Sequence, residues 1–118
     1  MALMQKVSAA VSTGMEMAEL RKAAGNDDWQ QVSRIGGTTK SKEVADAAVD
    51  LAARAAAGFA AMAANKASSP EDHAFFGQLR NEAVLVITQI ENAGGVGAAH
   101  ARAVRENGCK PKAATAAD

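Results

Sequence analysis

Apolar residues recur along this chain at intervals of three and four. That is the spacing of one helix face, not the alternation of a half-buried strand. Leu3, Val7, Val11 and Met15 stand four apart, with Met4 and Ala18 widening the stripe, and predict a first helix over about 2–24. Gly25 follows where a left-handed cap residue is wanted. Asn26 or Asp27 is expected to cap a short second helix that turns Trp29, Val32 and Ile35 inward and stops at Gly36-Gly37. A third helix is expected over about 40–65, roughly 39 Å long at the standard rise. Ser41 stands as its cap, Glu43 lies in its first turn, and Val44, Ala48, Leu51, Ala55, Phe59 and Met62 form its stripe.

The segment Ser68-Ser69-Pro70-Glu71-Asp72 combines a serine cap, proline at the first helical position and acids in the first turn. It opens a fourth helix whose buried face is expected to be Phe76, Leu79, Ala83, Val86, Ile87 and Ile90, closed between Asn92 and Gly95. A fifth helix over about 96–107 is expected to group Val96, His100, Ala103 and Val104, with Gly108 as its stop. From Cys109 onward no face repeats, which predicts one domain over 1–108 and a mobile tail over 109–118. The connections are short enough for antiparallel neighbours. The expected fold is therefore all-α: a small antiparallel bundle of four to five helices, with the two longest forming a central hairpin around 67–69.

Composition supports the fold class and thins the core. Of 118 residues 30 are alanine, the best intrinsic helix former, while Tyr is absent and Trp occurs once. Between Leu51 and Phe59 the inward face of the third helix is alanine and Gly58, which lets helix axes approach closely. Leu, Ile, Val and Phe together number 20, a small supply for a core that oligomerisation or docking would reinforce. From the alanine bias a bacterial or viral style of protein is expected.

Charge and cysteine usage narrow the class further. Thirteen basic and 13 acidic residues give no net charge, so recognition by shape and apolar contact is expected over recognition by long-range field. The lone Cys109 cannot form an internal disulfide. No apolar run approaches the ~18–20 residues of a membrane span, and no charged segment leads into an apolar leader. A cytoplasmic, non-membrane protein is expected.

Candidate chemistry is sparse. His73 and His100 fall on different helices, and with Cys109 they do not make the spaced pairs of a zinc site; His100 reads as a hydrogen-bonded structural histidine and His73 as exposed. Cys109 lacks a neighbouring base to activate it. Gly36-Gly37-Thr38-Thr39-Lys40-Ser41 lacks the spacing and the preceding strand of a phosphate loop, and Gly94-Gly95-Val96-Gly97 reads as a turn. Arg34, Lys40, Lys42 and Arg54, and separately Arg102, Arg105, Lys110 and Lys112, make basic clusters. The four aromatics needed to stack bases are all assigned to the interior, which leaves nucleic-acid binding an accessory alternative. No catalytic residue, cofactor, metal or small-molecule substrate is expected.

What remains is apolar surface in excess of one core. Met15, Met17 and Leu20 cannot all point one way, and Phe75 and Phe76 diverge by about 100° on a helix. Val84 and Leu85 widen the apolar arc of the fourth helix. Met17, Leu20, Phe75, Leu85 and Ile87 are the expected partner-binding residues. The stretch from Met15 to Ile35, an apolar helix end followed by Asp27-Asp28-Trp29, resembles the small helical export chaperones of bacterial flagellar and type III secretion systems. The likeness covers about a fifth of the chain, and the alanine-dense third helix departs from the leucine-richer helices of that group. It implies a secretion-type chaperone or adaptor as an alternative. The main expectation is a non-enzymatic interaction or assembly module that self-associates or docks onto a larger bacterial or phage complex.

Overall fold

The computed structural model describes residues 2–110, with side chains described from residue 12. Of the tail expected over 109–118, residues 111–118 lie outside the described residues. Five helices follow one another: α1 (Ala2–Gly25), α2 (Trp29–Thr38), α3 (Lys42–Ala63), α4 (Pro70–Ala93) and α5 (Ala98–Glu106). No strand occurs among the described residues, and the fold is a small all-α bundle. The long α3 and α4 form its central hairpin, with α2 and α5 packed against both and α1 resting on α2 and α3.

Local chemistry sets most boundaries. Ser69 caps α4, its hydroxyl accepting the Asp72 N–H at 3.1 Å, and Pro70 fills the first turn, where a missing N–H costs nothing. Ser41 caps α3 through the Val44 N–H at 3.3 Å. Gly94 ends α4 in the left-handed conformation at φ 69°, and Gly108 follows α5 at φ 79°.

Four boundary expectations are corrected. Asp28, not Asn26 or Asp27, caps α2, accepting from the Gln31 N–H. Gly25 ends α1 as a helical residue, and Asp27 takes the left-handed conformation instead. Gly36 and Gly37 do not stop α2, which runs on to Thr38. Cys109 is not tail: with a positive φ, its N–H turns back to the Val104 carbonyl at 2.9 Å and its side chain packs at the edge of the core.

The core lies along the α3–α4 seam. Leu20, Val32, Val44, Val49, Val86, Ile87 and Ile90 are its largest fully buried side chains, each worth about 1.5–3 kcal/mol on burial. The expected α3 stripe holds only for Val44 and Ala48. The buried face continues through Val49, Ala52, Ala53 and Ala56, while Leu51 and Phe59 are half-buried and Met62 is exposed. Helices on both sides of α3 widen its buried arc and draw in small residues that a large-residue stripe overlooks. On α4 the expected face is found, fully buried from Ala83 to Ile90 and partly at Phe76 and Leu79. On α5 the buried residues are Ala101 and Val104, and Val96 is exposed ahead of the helix.

Gly36 explains why α2 carries glycine within a helix. A Cβ there would lie 2.7 Å from the Ala48 Cβ and 2.6 Å from Ile90 Cδ1, so the glycine is the contact surface between α2 and the hairpin. Gly97 does the same at the start of α5, where a Cβ would meet that of Ala45 at 2.7 Å.

Candidate docking face

All four aromatic residues of the chain form one connected series. Trp29, buried at the start of α2, meets Phe59 of α3 edge-on at 6.5 Å. Phe59 stacks on Phe76 of α4 at 6.4 Å, and Phe76 meets its neighbour Phe75 edge-on at 5.3 Å. The series runs from the core to the surface, where Phe75 is 56 % exposed. The interior assignment of all four aromatics is corrected at this residue, because Phe76 already fills the inward direction.

Phe75 opens an exposed stripe along α4. Gln78, Glu82, Leu85 and Gln89 follow at alternating steps of three and four, and all are exposed. Leu85 is 51 % exposed, and beside it a groove of about 400 Å³ opens between α4 and the α1–α2 corner. Asp27, Asp28, Trp29 and Gln30 form one wall; Glu82, Leu85, Val86 and Gln89 form the other. The walls are tied by the Ser33 hydroxyl, which donates to Gln89 Oε1 at 2.6 Å. Every ionisable side chain lining this groove is acidic. The Trp29 indole N–H is buried without an acceptor.

The expected partner-binding residues divide. Phe75 and Leu85 share the outer side of α4. Leu20 and Ile87 are fully buried core residues, so a partner meeting the folded chain cannot touch them. Leu20 is covered because α1 lays its last turns on α2 and α3; Ile87 is on the hairpin seam. Met17 is half-buried at the core edge and lines a cleft with Arg21, Asp50, Leu51 and Arg54. Met15, 62 % exposed, is a large apolar residue that α1 presents to solvent. Sequence reasoning missed the acidic corner as part of the face. Asp27 and Asp28 lie more than fifty residues from Leu85, and only the packing of α2 on α4 brings them together.

Other candidate residues have structural partners. His100 Nε2 lies 2.7 Å from Asp50 Oδ1 and links α5 to α3, in the hydrogen-bonded role expected of it. His73 is exposed at the hairpin tip, its Nε2 3.0 Å from the Asn65 carbonyl. Several cations of the basic clusters are engaged: Lys42 with Asp46, Arg102 with Glu106, and Arg105 with Glu91. The Arg105 guanidinium donates to both Glu91 oxygens, with Nη2 to Oε2 at 2.9 Å. This hydrogen bonding holds the Glu91 carboxyl below its usual range and raises Arg105 above its own. Among the described residues no group of three or more His, Cys, Asp or Glu is arranged to hold a metal ion, and no helix is long and apolar enough to cross a membrane.

Comparison of the chain with protein-family models, with curated proteins and with solved structures finds no match.

Proposed function

We propose that this chain is a non-enzymatic protein-docking module whose docking face is the outer side of α4 together with the α1–α2 corner. The observation that carries the reading is the groove beside Leu85, where an exposed leucine stands with Trp29 and Val86 and every ionisable side chain is acidic. Such a surface selects an amphipathic segment that presents an apolar side chain flanked by lysine or arginine. Apolar contact supplies the affinity, and the carboxylates set orientation and partner choice. A cytoplasmic setting belongs to the same reading, since the free thiol of Cys109 suits a reducing compartment.

Trp29 is the sole tryptophan and lines the groove, so its emission reports on occupancy. A synthetic amphipathic helix of leucine and lysine is expected to change that emission saturably, with affinity falling as salt rises. The same helix with glutamate in place of lysine is expected to leave it unchanged, and Leu85→Asp is expected to weaken the lysine helix at least tenfold. Equal binding of the two helices, or binding untouched by Leu85→Asp, overturns the reading.

A further inference from the structure

We infer that the occupant of this groove is the first half of α1 from a second copy of the chain, two copies exchanging these segments about a twofold axis. The inference rests on the docking reading and names its partner. α1 is one continuous helix of 24 residues, about 36 Å long. Among its described side chains, burial begins near its end: Leu20 and Ala23 are buried, with Met17 and Ala24 packed at the core edge. The exchange takes its first half, Leu3 to Met15, across to the groove of the second copy.

The sequence of that half has the chemistry the groove selects. Met15, already exposed, ends a series of Leu3, Val7, Val11 and Met15 at four-residue spacing. Lys6 is the only ionisable residue from residue 2 to residue 15, a single positive charge to set against the groove's Asp27, Asp28 and Glu82. Lengths match as well: Leu3 to Met15 covers about 18 Å of helix, and Phe75 to Gln89 about 21 Å. One contact therefore brings the apolar positions of the first half of α1 onto the exposed outer side of α4. A twofold exchange makes that contact twice, which doubles the area offsetting the lost freedom of association.

The test is the molar mass of the full chain by light scattering across a micromolar concentration series, with helicity followed by circular dichroism. A dimer is expected. Leu85→Asp and Met15→Asp are each expected to shift it to monomer with helicity kept, since both side chains are exposed in the single chain. An equimolar mixture of these two variants retains one intact contact and is expected to form a weaker heterodimer. Lys6→Glu is expected to weaken the dimer several-fold, and adding Glu82→Lys to restore it. A monomer throughout the series overturns the inference, as does a dimer indifferent to Leu85→Asp and Met15→Asp. A monomer that still binds the leucine–lysine helix at Trp29 overturns the exchange alone and leaves the docking face standing.

Discussion

Gly36 and Ile90 meet so closely that a single added carbon on the glycine would lie 2.6 Å from the isoleucine Cδ1. This contact seats α2 on the hairpin and so fixes where the acidic corner stands relative to Leu85. Gly36→Ala is expected to destabilise the fold by about 1–3 kcal/mol, the usual cost of overpacking a filled seam. Gly58→Ala and Gly77→Ala lie in helices with nothing near the added carbon, and each is expected to stabilise by roughly 0.5–1 kcal/mol. Denaturant midpoints of the three variants check the sign of each change.

Burial separates the core from the docking face. Ile87→Ala removes a fully buried side chain on the α3–α4 seam and is expected to cost about 2–5 kcal/mol. Phe75→Asp gives up an edge-on contact with Phe76 worth about 0.5–1.5 kcal/mol, and is expected to keep the helical signal while abolishing association. Loss of fold in Phe75→Asp would instead assign Phe75 to the core.

Acid is expected to loosen α5. The Arg105 hydrogen bonds lower the Glu91 carboxyl from its ordinary value of 4.5. A carboxyl with a depressed folded-state pKa contributes its stability above the ordinary value, and that contribution is lost as pH falls through the depressed one. Amide exchange in α5 is therefore expected to accelerate, relative to the α3–α4 core, as pH drops below about 4.5. In Glu91→Gln this acid-dependent difference is expected to vanish.

His100 and Asp50 are the second tie between α5 and the hairpin. Because Asp50 is 42 % exposed, solvent discounts the pair, and a double-mutant cycle of His100→Ala with Asp50→Ala is expected to give a coupling of about 0.5–1 kcal/mol. A coupling of zero would make His100 a packing residue only.

The elements themselves were legible in the sequence because they depend on local chemistry. Ser69-Pro70 opens α4 and Gly94 closes it through hydrogen bonds and backbone conformation within a few residues. The buried face of α4 was legible for a related reason: Val86, Ile87 and Ile90 keep the helical period with residues large enough to stand out. Phe75 and Leu85 could be singled out as apolar residues off that face, although their exposure was settled only by the packed structure.

What the tertiary structure decided is which small residues and which charges meet. Gly36 reads as a helix stop until Ile90 and Ala48 are placed against it, because glycine signals a turn and a close approach with the same letter. The α3 stripe turns toward Ala52, Ala53 and Ala56 because neighbours press from several sides, and alanine carries too little hydrophobic contrast to mark a direction. A net charge of zero hid a groove whose ionisable lining is wholly acidic, since composition sums over positions that folding separates. The sequence thus determined where the helices lie and how much apolar surface they carry. Only their packing decided which of that surface stays outside, and beside which charges, because those contacts join residues tens of positions apart.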